Sequence, residues 1–218
     1  MISIEYHLQL SRFKESNIMN AKERTKQHFN ETAEHYNNSK DGKFVEPMYE
    51  NLVKEISKSK SGKILDVGCG NGNLFEMLPD EKYELTGVDF SENMIIEAKD
   101  KCKDKASFLV ADAEKLPFDN NTFDIIVCNA SFHHYIHPDI VLAEMQRVLK
   151  EGGKLLIGDP YVPTLVRPMM NLLTKFSPNG DYHFYGEVEM KKLFIQNGFN
   201  PVSFQKTEEH TALHIAEK

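Results

Sequence analysis

The chain has 218 residues, 40% of them hydrophobic and 27% charged, which is enough to bury one sizeable core and short for two independent domains. A mean hydropathy of −0.47, with no apolar run near the roughly 18–20 residues that cross a bilayer, leaves no membrane partner, and three scattered cysteines, Cys69, Cys102 and Cys128, argue against a disulfide framework or structural zinc. With 33 acidic against 26 basic residues and a net charge of −7, the chain as a whole repels phosphate backbones, so nucleic acid is not the expected partner.

Residues 1–18 alternate apolar and polar at Ile2, Ile4, Tyr6, Leu8 and Leu10 with no nearby pairing partner, and they receive no assignment. Glu5 and His7 interrupt the apolar stretch and no cleavage site follows, so a cytoplasmic protein is expected. An arm for dimerisation, a lid, or an alternative start at Met19 are open readings of this stretch. Ala21 to Tyr36 then carries Phe29, Ala33 and Tyr36 at helical spacing, and Phe44 to Ile56 does the same through Met48, Leu52, Val53 and Ile56. The polar stretch Ser57 to Gly62 reads as a boundary loop. Residues 1–60 are therefore expected to form an N-terminal helical cap and residues 61–218 the main domain.

Beyond the boundary, apolar runs alternate with helical patterns, the sign of parallel strands joined by crossover helices. The expected strands are Lys63 to Val67, Tyr83 to Asp89, Ser107 to Asp112, Phe123 to Asn129 and Lys154 to Asp159. Between them lie helices over Asn73 to Leu78, Ser91 to Cys102 with Ser91 as N-cap, and Pro138 to Lys150, which stops at Gly152-Gly153. Thr164 to Phe176 and Glu187 to Asn197 are further helices. The last strands, Val202 to Lys206 and Thr211 to Ala216, are joined by too short a connection for anything but an antiparallel hairpin.

The chemistry concentrates at Leu65-Asp66-Val67-Gly68-Cys69-Gly70-Asn71-Gly72, a strand running into three alternating glycines and then a helix. Such a turn lets backbone approach a ligand at the carboxyl end of a parallel sheet. A dinucleotide site would carry G-x-G-x-x-G with pyrophosphate at the helix N-terminus. The spacing here is G-x-G-x-G, and Asp66 before it suits a cationic ligand bearing an amine and a sulfonium. The second strand ends at Asp89, placed to accept ribose hydroxyls. The third ends at Asp112-Ala113, where a carboxylate accepts from an adenine amine, with Phe90 and Met94 as apolar faces.

The segments LDVGCGNGN, GVDFSENMI, VADAEKLPF, FDIIVCNASFHH and LKEGGKLLI resemble the successive motifs of class I S-adenosylmethionine-dependent methyltransferases. The D-A-E-K-L-P-F run followed by a His pair resembles the small-molecule branch that includes the quinone-biosynthesis C-methyltransferases. His28 to Tyr36 is similar to that branch's F-D-x-x-A-x-x-Y segment, with Asn30 in place of the usual Asp. The resemblance implies an α/β, doubly wound Rossmann-like mixed sheet of about seven strands, the last antiparallel. It implies S-adenosyl-L-methionine as cofactor, with Asp66 and Gly68 by its methionine end, Gly70 and Gly72 also in the cofactor-binding turn, Asp89 on the ribose, Met94, Asp112 and Ala113 around adenine, Asn129 at the fourth strand's end, and Tyr36 as a cap.

Asn129-Ala130-Ser131-Phe132 replaces the N-P-P-Y-like turn of enzymes that act on base or glutamine amines, which leaves a small-molecule acceptor as the expected substrate. Transfer from a sulfonium needs mainly alignment and exclusion of water. Where an acceptor proton must leave, His134, and next to it His133, stand at the strand ends to take it. Tyr161 and Tyr182 to Tyr185 lie in the insert after the fifth strand, where an acceptor lid is expected. The remaining histidines show no metal-selecting spacing, and no metal is expected. Two rivals share the fold: a cofactor-binding regulator or partner subunit without its own methyl transfer, and, more distantly, a nicotinamide-dependent oxidoreductase.

Overall fold

A computed structural model describes residues 21–79, 81–206 and 210–218. The arm at 1–18 and Met19 lie outside the described residues. Helix α1 (21–32) tightens into a 3-10 turn, Ala33–Asn38, and is followed by α2 (Lys40–Val45) and α3 (Met48–Ile56). The single helix expected over Phe44 to Ile56 is thus two helices. Pro47 has no N–H to continue the ladder, so α2 closes on the Glu46 N–H to Gly42 carbonyl bond and α3 restarts with Tyr49 N–H on the Glu46 carbonyl. Gly42 is a necessity of packing, since a Cβ there would run into the Tyr36 carbonyl.

The strands are β1 (Gly62–Val67), β2 (Tyr83–Asp89), β3 (Ala106–Val110), β4 (Phe123–Asn129), β5 (Leu149–Pro160), β6 (Asn200–Lys206) and β7 (Thr211–Glu217). They form one sheet in the order β3-β2-β1-β4-β5-β7-β6. All neighbours are parallel except β7, which runs antiparallel to both β5 and β6. β5 starts five residues earlier than expected because Leu149 already pairs with Phe123, before a register shift that resumes at Ile125 and Lys154.

Helices α4 (Asn73–Met77), α5 (Glu92–Cys102), α6 (Pro138–Val148), α7 (Arg167–Leu173) and α8 (Glu187–Gln196) complete the chain. Central strands are buried on both faces, which is why β1 and β4 carry adjacent apolar residues, Ile64-Leu65 and Ile125 to Cys128, rather than an alternation. Alternate residues serve opposite cores: Leu65, Val67, Ile126 and Cys128 face Met145, Phe194 and Phe199, whereas Ile64, Ile125 and Val127 face Phe75, Ile95 and Phe108. A third cluster joins Ala33, Tyr36, Val45, Met48 and Met94, seating the N-terminal helices on the carboxyl edge of the sheet. No residue of α7 is buried; Leu165 is 96% and Phe176 82% exposed beside it. Among the described residues no helix is long and apolar enough to cross a membrane.

Candidate active site

The strand order reverses between β1 and β4, and in open α/β sheets that is where the carboxyl ends part to leave a crevice. The cleft found there spans about 960 Å³, the open solvent at its mouth included. Its walls include Tyr36, Gly68, Gly70, Asp89, Phe90, Met94, Asp112, Ala113, Asn129 and His134. Asp66 and Gly72, also expected there, do not reach the wall. Gly72 is the N-cap of α4 with a φ of 79°, and Asp66 is buried in β1, one residue before the Val67 that lines the cleft.

Local backbone fixes the most polar part of the cleft. Asp89 Oδ2 accepts the Gly70 N–H at 2.9 Å and Oδ1 accepts the Ser91 N–H at 2.8 Å. Each oxygen keeps a lone pair for a ligand hydroxyl. Burial raises the Asp89 carboxyl pKa, and those backbone bonds oppose the shift. Ser91 then caps α5, its Oγ accepting the Met94 N–H at 3.1 Å, and donates to Asn30 Oδ1 at 2.7 Å. Gly68 has a φ of 77°, and a Cβ there would collide with Ser131 Oγ; the glycine is what allows the loop to close against the turn after β4.

Two buried acceptors near the β1 and β4 ends have no partner, Asp66 Oδ1 and Asn129 Oδ1. Burial, with the neighbouring charge of Asp89, pushes the Asp66 carboxyl up to about 8. An unsatisfied buried acceptor is costly, and Asn129, which lines the cleft, offers its amide oxygen to a ligand amino group. The donor set therefore fits S-adenosylmethionine.

Sequence reasoning missed how α1 closes the mouth. Lys22 Nζ lies 2.6 Å from Asp112 Oδ2 and 3.0 Å from Glu114 Oε1, and Lys26 lies 2.7 Å from Glu92. Both ammonium groups stand over the Phe90 ring, at 5.7 and 5.0 Å from its centroid. Burial disfavours the Lys22 charge, but the two carboxylates more than restore it and raise the pKa. Nothing in the spacing of α1 identifies Lys22, because its partners are distant in sequence.

A second cavity of about 630 Å³ adjoins the cleft. The two share Phe29, Tyr36, Ala130 and His134 as lining residues, and the second adds Phe44, Val45, His133, Pro160, Asp181 and Phe184. The turn Phe132–His134 holds both histidines, anchored by the fully buried Phe132. His133 Nδ1 meets Asp159 Oδ1 at 2.9 Å, and Nε2 stands 3.4 Å from Asp181 Oδ1. Burial works against charge on His133, but these two carboxylates outweigh it and lift the pKa to about 9. Burial and the adjoining His133 hold His134 well below the usual histidine value. The imidazole of His134 stacks edge-on against Phe29, with ring centroids 5.3 Å apart. Asp159 and Asp181 carried no signal in the sequence, since they come from the end of β5 and from the insert. Of the insert aromatics, Phe184 stacks on His133 at 5.6 Å and Tyr185 enters the core, whereas Tyr182 is partly exposed.

Comparison with known proteins bears on the family and the fold. A methyltransferase-domain family model matches residues 65–157. The demethylmenaquinone methyltransferase of Staphylococcus aureus is 30% identical over 193 residues, spanning 77% of this chain and 80% of that one. A solved S-adenosylmethionine-dependent methyltransferase from Aquifex aeolicus superposes with a TM-score of 0.61 at 24% identity, covering 77% of this chain and 88% of the other. A chain of the complex between the Haloferax volcanii Trm112 methyltransferase activator and a methyltransferase reaches 0.76 at 20% identity, covering 88% and 96%. These two structures share the fold.

Proposed function

The chain belongs to the class I S-adenosylmethionine-dependent methyltransferases, and on that premise we propose that it methylates a small, largely apolar, ring-bearing molecule held in the second cavity. The observation that carries this reading is the wall of Phe29, Tyr36, Ala130 and His134 common to the two cavities. A donor bound in the cleft and an acceptor bound in the chamber would lie side by side across that wall. A relative named for a quinone precursor supports a small ring as acceptor.

Bound S-adenosylmethionine supplies a methyl group already activated on sulfur, so alignment and dryness are the protein's share of the catalysis. Asp89 takes the ribose hydroxyls on its free lone pairs. Asn129 receives the ammonium, with the Asp66 carboxyl behind the wall in β1. Phe90, Met94 and Ala113 border the adenine, whose amine shares Asp112 with Lys22, and Gly68 and Gly70 keep the loop clear of the methionine chain. Tyr36 and Phe29 close the wall over the reacting atoms and exclude water. His134, with His133 behind it, is the polar group facing the acceptor from that wall and orients its hydroxyl or enol.

The test incubates the protein with S-adenosylmethionine and a panel of phenols, quinols and amines, reading methylated products and S-adenosylhomocysteine by mass spectrometry. The expected result is a methylated phenol or quinol. A protein that binds the cofactor, methylates nothing and is recovered tightly bound to another chain would instead be a regulator.

A further inference from the structure

The chamber beside the cleft contains ligand-type atoms that aligning an acceptor does not by itself require. His133 Nε2 and His134 Nδ1 lie 3.4 and 3.8 Å from the same atom, Asp181 Oδ1. All three donor atoms fall within 4.8 Å of one another, and all three residues line the chamber. In a tetrahedral site with bonds near 2.0–2.1 Å, donors stand about 3.3–3.4 Å apart, so the His133–Asp181 pair already has the required separation, and His134, its ring 4.0 Å from that of His133 and tilted 38° to it, must turn and draw inward to join them.

Two further observations point to a cation at that spot. Asp159 Oδ1 meets His133 Nδ1 at 2.9 Å, the carboxylate support that orients a metal-binding imidazole. With the proton on Nδ1, the Nε2 lone pair faces the Asp181 carboxylate, and something positive belongs between them. A second proton on His133 would serve that one pair and leave His134 Nδ1 as it stands, buried with no partner on a side chain 8% exposed. A metal ion satisfies both imidazoles and the carboxylate together.

We propose that His133 Nε2, His134 Nδ1 and Asp181 Oδ1 bind one divalent transition-metal ion, with the fourth position open to the acceptor chamber. Two imidazoles and a carboxylate select zinc or its neighbours over magnesium or calcium, and three protein ligands with an open position is the arrangement of a catalytic site. The inference rests on the proposed function only for the use of that position. There an acceptor hydroxyl coordinates through oxygen and releases its proton to solvent, and its conjugate base then faces the methyl donor.

The experiment strips the full chain with a chelator and titrates it with Co²⁺, reading visible absorption and calorimetry. S-Adenosylmethionine binding is measured alongside as a check on folding and on the methyl-donor site. One Co²⁺ per chain is expected, with tetrahedral bands that Zn²⁺ displaces. Affinity is expected to fall at least tenfold in Asp181→Asn and in His134→Ala, and cofactor binding is expected to persist in Asp181→Asn. In the wild-type chain, one equivalent of Zn²⁺ must move the ring ¹⁵N signals of His133 and His134. Absence of bands, bands that survive both substitutions, or shifts confined to other histidines would overturn the metal site. None of these outcomes depends on whether methyl transfer is detected.

Discussion

Asp89 and Asp181 occupy comparable places in neighbouring cavities but are held there by different means. Asp89 ends a strand whose register is set residue by residue against β1 and β3, and two backbone amides grip its carboxylate. Asp181 stands in the insert between β5 and α8, held by Ser177 Oγ at 2.8 Å and by the histidines of another loop. The cofactor side is thus built into the sheet, and the acceptor side is assembled from α1, the turn after β4 and the insert. The difference means that damage to strand-end backbone should abolish cofactor binding, whereas changes in the insert should alter only what is methylated.

The hardest blow to the first half is Gly68→Val. A β-branched residue at a φ of 77° is strained by about 1–2 kcal/mol, and its Cβ overlaps Ser131 Oγ. Loss of all measurable S-adenosylmethionine binding and a lowered melting temperature are expected, to be read by calorimetry. Binding that survives unchanged would show that the loop does not need to close.

A pH titration sharpens the comparison by weakening the scaffold under both cavities. His214 lies buried in β7 between Phe194 and Phe204, and burial lowers its pKa to about 4. The unfolded histidine titrates near 6.5, so this contribution is complete above that pH and is lost as pH falls towards 4, by up to about 3 kcal/mol. Denaturant melts at pH 7 and 4.5 should show the loss, and His214→Phe should reduce the pH dependence.

Lys22→Ala is the smallest expected effect. The ion pair with Asp112 and Glu114 is partly exposed, and such pairs contribute about 0.2–1 kcal/mol. Cofactor affinity should change only a few-fold, in either direction, because Asp112 is freed for adenine as the mouth loosens. A change of many orders of magnitude would make α1 a structural part of the cofactor site.

The same contrast explains what was legible in the sequence. Strand ends and βα turns are local, so Gly68, Gly70, Asp89, Met94 and Asp112 could be placed from spacing and motif, and the hairpin of β6 and β7 from the shortness of its connection. Ser91 as N-cap of α5 came from the same kind of local rule. Pro47 was an equally local signal, overlooked beneath the apolar periodicity that spans it. Lys22, Asp159 and Asp181 meet their partners only through tertiary packing, and no periodicity announces them. His133 and His134 were visible as a pair, but not the carboxylates that distinguish them.

The most direct test titrates S-adenosylmethionine into the wild-type chain, Asp89→Ala and Asp181→Asn under identical conditions. The account predicts stoichiometric binding by the wild type, binding of similar strength by Asp181→Asn, and none by a folded Asp89→Ala. Retained binding in Asp89→Ala, or its loss in a folded Asp181→Asn, would contradict the division of the site into a strand-built cofactor half and a loop-built acceptor half.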